Sequence, residues 1–324
     1  PMKYAIGIDI GGTNTVLGLV DNQGVILGRD TMLTKDESPS QDDYFKRLFH
    51  KVSELTESHP GTKPMGIGIG APNGNHYSGM ILDPPNLDLG NVHVPTIAME
   101  YTRLSVVLTN DANAAALGEN MFGRARNMDD FVLITLGTGL GSGVFTNGQL
   151  LVGHGGFAGE MGHIIIDPKG RECSCGKRGC LEMYASAKGI TETVIDFQKQ
   201  FPDDPLLNTL IYGTSENGQL GHIDGRVLDT AFDENNETAH NIYNYTADKL
   251  GQGLAQAATL LEPEAFIFYG GIAKAGNRML DGAKKAMNDN LMSFQQEKIE
   301  LLLSGLPAGD AGLLGAASLV FNSQ

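Results

Sequence analysis

Apolar and polar positions along this chain follow two periods, and the switches between them outline its elements. Lys3 to Ile8 reads as a buried strand, and Thr15 to Val20 and Val25 to Leu33 predict its hairpin partners, turned by Asp21-Asn22-Gln23-Gly24. Phe45, Leu48, Val52 and Leu55 then recur at helical spacing behind an acidic start, which predicts one amphipathic helix from Gln41 to Ser58. Short strands are predicted from Met65 to Gly70 and from Ser105 to Leu108, with the loop Asp83-Pro84-Pro85-Asn86 and a helix near Thr96 to Tyr101 between them. After Asp111, good helix formers run from Ala114 to Glu119, and a second meander opens with strands from Asp130 to Leu136 and Leu140 to Thr146. A long helix from about Glu237 to Leu261 feeds the strand Ala265 to Tyr269, and a last helix, Ala311 to Phe321, is expected to pack back onto the first half. Pro202 to Asp224 shows no assignable period. The recurrence of strands around a glycine-rich turn predicts two related α/β domains facing a cleft, residues 1–118 plus 306–324 and residues 119–305.

Composition narrows what such a fold does. A chain of 324 residues buries a sizeable core. The net charge is −15 and no basic run occurs, which argues against a nucleic-acid surface. The longest apolar stretches, such as Gly66 to Ala71, fall far short of the roughly 20 residues that span a bilayer. With no export leader at the start, a cytoplasmic location is expected, where thiols stay reduced. The 43 glycines gather at the ends of apolar strands, where bare backbone lets a ligand approach.

Three groups of residues carry chemistry. All three cysteines, Cys173, Cys175 and Cys180, fall in one short loop with glycines at 176 and 179 that allow tight folding round an ion. With one histidine they make a closed tetrahedral set of the structural zinc type; His163 is favoured over His154 because it opens the β-branched run Ile164-Ile165-Ile166, whose strand would hold it rigid. The alternative is a trio of unconnected buried thiols. Next, Asp9-Ile10-Gly11-Gly12-Thr13-Asn14 places a carboxylate at a strand end, followed by glycines whose backbone N–H groups can approach a phosphate. It lacks the Gly-Lys-Ser/Thr ending of a P-loop, and alone it would be an ordinary hairpin. Gly137-Thr138-Gly139 and Gly270-Gly271 repeat the theme at two further strand ends, which together imply one bound nucleotide. Third, Asp111 after Asn110 stands between a strand and a helix, either as a helix cap or as a free carboxylate able to accept a hydroxyl proton. In that reading Asp9 orients magnesium.

The Asp9–Thr13 turn, Asn110-Asp111, Glu160-Met161-Gly162-His163, the cysteine cluster with Glu182, and Gly270-Gly271 together resemble the ROK family of sugar kinases and repressors, in order and over nearly the whole chain. The resemblance implies the two-domain actin-like, hexokinase-like ATPase fold, with ribonuclease H-like halves. It implies ATP and Mg²⁺ on one side of the cleft and a hexose on the other. It makes Asp111 the catalytic base and Asn110 a sugar ligand, with Glu160, His163 and Glu182 on sugar hydroxyls and His163 also on the structural Zn²⁺. Gly74 and Asn86 fall in the family's sugar-side loops. The implied reaction is ATP-dependent phosphorylation of a hexose at its 6-hydroxyl, with Asp83-Pro84-Pro85-Asn86-Leu87 pointing toward glucose. N-acetylmannosamine, N-acetylglucosamine, fructose, mannose and allose are the alternatives. The family's sugar-sensing repressors carry a DNA-binding segment ahead of the Asp9 turn, for which nine residues leave no room, so the kinase reading is preferred. Family members are often dimers or tetramers, which implies a homo-oligomer.

Overall fold

A computed structural model describes residues 2–35, 40–83, 90–212, 215–216, 219–220 and 223–322. In chain order, the elements begin with β1 (Tyr4–Ile10), β2 (Asn14–Asp21), β3 (Ile26–Leu33), α1 (Gln41–Glu57) and β4 (Pro64–Gly70). The two-residue strands β5 (Met80–Ile81) and β6 (Val92–His93) precede α2 (Val94–Ala98), β7 (Val106–Thr109) and α3 (Asp111–Phe122). Then come β8 (Phe131–Leu136), β9 (Leu140–Thr146), β10 (Gln149–Leu150), α4 (Glu182–Ala185), α5 (Ala187–Gln200), α6 (Pro205–Tyr212), β11 (Ser215–Glu216) and β12 (Gln219–Leu220). The chain closes with α7 (Gly225–Asp233), α8 (Glu237–Leu261), β13 (Ala265–Tyr269), α9 (Asn277–Asn290), β14 (Glu300–Leu303) and α10 (Ala311–Asn322).

The chain divides into two compact units, 1–129 with 143–159 and 304–324, and 130–142 with 160–303. In the first, β1, β2 and β3 form an antiparallel meander, and β4 and β7 add in parallel on the other side, giving the order β3-β2-β1-β4-β7. One face buries Ile6, Ile8, Leu17, Ile67 and Ile69 with Phe45, Leu48 and Val52 of α1. α1 starts where its sequence says it should: Ser40 Oγ accepts from the Asp43 N–H at 3.1 Å, and Asp42 and Asp43 sit in the positive first turn. Its apolar stripe then follows at three- and four-residue steps.

The opposite face of this sheet is covered by α10, and glycines set how closely it lies. A Cβ on Gly68 would overlap the Ala316 carbonyl, and one on Gly7 the Leu313 carbonyl, so mid-strand glycines here exchange β-propensity for backbone-to-backbone packing. α10 also packs on α3. Glu119 of α3 is buried, accepting from Ser304 Oγ and, at 2.7 Å, from the Arg124 N–H.

The second sheet repeats the order, β10-β9-β8-β13-β14, with β13 parallel to β8 and β14. Phe131, Leu133, Phe266 and Phe268 are buried in it. α8 begins on Asn236, whose Oδ1 accepts from the Ala239 N–H at 3.0 Å, and α9 packs along it. The segment that shows no period in the sequence contains α6 and the pair β11 and β12.

Candidate functional site

In the first unit the site residues stand at the carboxyl ends of parallel strands, the edge where open α/β sheets bind ligands. β1 ends into Gly11-Gly12-Thr13, and β7 ends into Asn110-Asp111. The turn is closed by the Gly11 N–H donating to the Asn14 carbonyl at 2.9 Å and by Thr34 Oγ1 donating to the Gly11 carbonyl at 2.7 Å. Gly12, Thr13 and Asn14 are exposed, and a Cβ at Gly12 would touch nothing, so this stretch of backbone faces open space.

Asn110, not Asp111, caps α3: its Oδ1 accepts from the Asn113 N–H at 2.7 Å. Asp111 is the first helical residue, its Oδ1 accepting from the neighbouring Ala112 N–H at 2.9 Å. The protein around it raises this carboxyl above the usual carboxylate range, against the lowering by backbone N–H groups. The residue is nevertheless exposed, so it is open to a small molecule. Burial, and next the charge of Asp111, push Asp9 up to about 6. Two carboxylates that cannot comfortably both be charged fit a cation between or beside them. Gly312 at the start of α10 makes room for the Asp9 carboxylate, which a Cβ there would overlap.

Gly74 is buried against the end of β7, where a Cβ would stand 2.5 Å from the Thr109 carbonyl. Its missing side chain lets the 71–83 loop lie against the end of β7. Two neighbours went unnoticed in the sequence. Asn75 accepts from the Tyr77 and Ser78 N–H groups and donates to the Gly155 carbonyl at 2.7 Å, tying two loops together. His76 has a buried Nδ1 with no hydrogen-bond partner among the described residues, and burial holds it below the usual histidine range. Neither residue belongs to a motif, so only the folded loop reveals them. Asn86 lies outside the described residues.

The second unit places its glycine turns side by side, because β8 and β13 are parallel neighbours with Tyr269 opposite Thr135. Gly137 follows β8 and Gly270 follows β13; Gly270 has φ +109°, and a Cβ on it would overlap the Leu136 carbonyl. Gly137 and Gly271 are both bare on their open sides.

The metal-ligand set is one cluster: the donor atoms of His163, Cys173, Cys175 and Cys180 all lie within 4.8 Å of one another. Cys175 Sγ and Cys180 Sγ are 3.6 Å apart, and Cys173 Sγ is 3.7 Å from His163 Nδ1. A tetrahedron with Zn–S bonds of about 2.3 Å has edges of about 3.8 Å, so the spacing fits a zinc ion. The donor chemistry fits too: burial, with the adjoining sulfurs of Cys175 and Cys173, pushes the Cys180 thiol up to about 12, a cost that a bound cation removes. Gly179 turns the loop at φ +75°, where a Cβ would overlap the Asp167 carbonyl. Arg171 anchors it, donating to the Met183 and Gly189 carbonyls, Thr193 Oγ1 and Asp196 Oδ2 at 2.8–3.0 Å and lying over the Tyr184 ring.

His163 does not open a strand. It ends a 3₁₀ turn, Met161–His163, preceded by exposed Glu160. The β-branched run after it pairs irregularly with the metal loop instead, through Ile166 N–H to the Gly179 carbonyl and Leu181 N–H to the Ile164 carbonyl, both at 2.9 Å. The left-handed bend at Gly179 interrupts any regular ladder. Glu182 opens α4 directly after this loop, and its Oε2 accepts from the Leu140 N–H at 2.8 Å.

Two sheets of one strand order, with carboxylates and bare turns at their carboxyl edges, define a duplicated α/β protein of the actin-like ATPase class. The chain belongs to the ROK family, which matches residues 5–323. A glucokinase of Thermotoga maritima is 34% identical over 99% of this chain and 98% of its own length. The crystal structure of a ROK family glucokinase from Streptomyces griseus in complex with glucose and AMPPNP superposes with a TM-score of 0.78 at 33% identity, covering 98% of this chain and 99% of that one. The xylose repressor of Bacillus subtilis is 29% identical over 98% of this chain, which spans 77% of the repressor. Among the described residues, no helix is long and apolar enough to cross a membrane.

Proposed function

We propose that this chain is an ATP-dependent hexose kinase that phosphorylates glucose at its 6-hydroxyl, with Asp111 as general base. The observation that carries this reading is the division of labour at the start of α3. Asn110 takes the cap, so Asp111 keeps a carboxylate that is accessible, raised in pKa and hence a better proton acceptor than an ordinary surface aspartate. Asp9 would hold the cation that accompanies the triphosphate, and that cation supplies charge neutralisation at the transferring phosphoryl group. Gly11, Gly12, Thr13 and Asn14 offer backbone N–H groups and a hydroxyl to phosphate oxygens, and Gly137, Thr138, Gly139, Gly270 and Gly271 offer flat backbone to the rest of the nucleotide. Glu160, His163 and Glu182 suit a hexose because ionised carboxylates accept strongly from hydroxyls. Zinc, when bound, would fix the His163 ring through Nδ1 and leave Nε2 to a sugar hydroxyl.

Glucose is preferred as acceptor because relatives of matching length act under the name glucokinase. A second reading, a sugar-responsive regulator, draws on the repressor relatives that this chain matches nearly end to end. A coupled assay with ATP and magnesium across a panel of hexoses separates them. The kinase reading expects turnover with one preferred sugar, and a loss of roughly 10²–10⁴ in kcat for Asp111→Asn with sugar binding retained. Undiminished turnover of that variant would remove the base assignment, and a sugar that raises the melting temperature without being phosphorylated by the wild type would favour the regulator.

A further inference from the structure

We infer that Glu182 is a positioning residue for the nucleotide-side loop, through Oε2, as well as a hydroxyl acceptor through Oε1; this rests on the reading of residues 137–140 as part of the nucleotide site. The sequence and the resemblance place Glu182 only on the sugar. Its geometry says more.

The 137–140 loop has few internal bonds of its own. Gly137 N–H donates to the Gly139 carbonyl at 3.0 Å, and the remaining ties come from the segments around it. The Ala187 N–H donates to the Gly137 carbonyl at 2.9 Å, and Gly162 lies where a Cβ would overlap the Leu140 carbonyl. Glu182 supplies a charged tie, accepting from the Leu140 N–H at 2.8 Å. Gly139 must be bare for that carboxylate to reach, since a Cβ on it would stand 2.5 Å from Oε2. The other oxygen, Oε1, has no hydrogen-bond partner among the described residues. One carboxylate therefore holds the loop with one oxygen and keeps the other for a ligand, and its backbone is fixed because α4 begins two residues after Cys180. A charge-assisted hydrogen bond of this kind resists loop displacement more than a neutral one.

The test is direct binding of AMPPNP to the full-length protein without sugar, alongside steady-state KM values for ATP and for the preferred hexose. Glu182→Ala is expected to weaken AMPPNP binding about tenfold and to raise the KM of both substrates. Glu182→Gln keeps a carbonyl oxygen that can accept from Leu140, so it is expected to restore AMPPNP affinity to within about twofold while the hexose KM stays raised. Gly139→Ala, which leaves the glutamate side chain intact and crowds the oxygen that accepts from Leu140, is expected to weaken AMPPNP, and it keeps the idea testable if Glu182→Ala folds poorly. AMPPNP affinity unchanged in both Glu182→Ala and Gly139→Ala, with only the hexose KM altered, overturns the inference and leaves the kinase reading standing. A wild-type protein that binds no AMPPNP overturns both.

Discussion

Replacing Asp9 by asparagine should make the ligand-free protein more stable and inactive as a kinase. The carboxyl has its ordinary pKa of 3.8 in the unfolded chain and one of about 6 in the folded protein. At about 1.4 kcal/mol for each tenfold change in proton affinity, keeping this group ionised in the folded state costs about 3 kcal/mol. The sign follows from proton counts. Between the two values the native state binds more protons than the unfolded chain, so this group's contribution to stability declines as pH rises through that window and is level above about 6. The amide of the Asp9→Asn variant carries no charge, so at about pH 8 the variant is expected to gain up to about 3 kcal/mol, or roughly 4 °C in the unfolding midpoint. The assay is thermal and chemical unfolding of both proteins across the acidic to neutral range, and the quantity to follow is their difference, since carboxylates that do not interact with Asp9 titrate equally in both. Asp30 and Asp233, for example, are held low by Lys51 and Arg278 and contribute in the opposite sense in each protein. Magnesium added at about pH 8 should recover stability in the wild type only. A difference that does not grow with pH, or a variant less stable than the wild type at about pH 8, refutes the reasoning.

Elemental analysis should find about one zinc per chain, and Cys180→Ser should lower both metal content and unfolding midpoint; a metal-free sample of unchanged stability would dispose of a structural zinc. Arg171→Met should destabilise by about 3 kcal/mol, because a mostly buried guanidinium leaves behind two carbonyls, Thr193 and Asp196. The same variant should release its metal faster to a chromogenic chelator, and unchanged release would mean that the loop holds its shape without this anchor.

The sequence spoke most clearly where one physical requirement dominated. The long helix Glu237–Leu261 and the strand Ala265–Tyr269 occupy the residues expected of them, because an uninterrupted helical period and a short apolar run each admit one solution. The cysteine loop with His163 was legible because metal ligation demands particular donors at close range. Boundaries elsewhere moved by a residue or two, as β1 and β7 did, and the helix expected near Thr96–Tyr101 begins instead at Val94, where Pro95 suits a first turn. The strand expected after His163 failed because β-propensity describes a residue's fit to a ladder, and Gly179 denies that ladder. Whether Asp111 capped α3 or stood as a free carboxylate was open in the sequence, since aspartate serves well as a cap; only the backbone turn, which gives the cap to Asn110, decides. The Glu182–Leu140 bond was invisible because it joins residues 42 positions apart through a glycine whose importance lies in what it lacks.

The last helix has a consequence for how this protein is made. β1 and β4 leave the ribosome early, yet the face they present to α10 stays uncovered until residues 311–322 have been synthesised. At roughly 5–20 residues per second that interval lasts roughly 15–60 s, during which an apolar sheet edged with bare glycine backbone has no lid of its own. A nascent chain stalled or cleaved shortly before Ala311 would therefore resemble a client for a holdase chaperone, with every motif for chemistry already present and the first unit still unable to close its core.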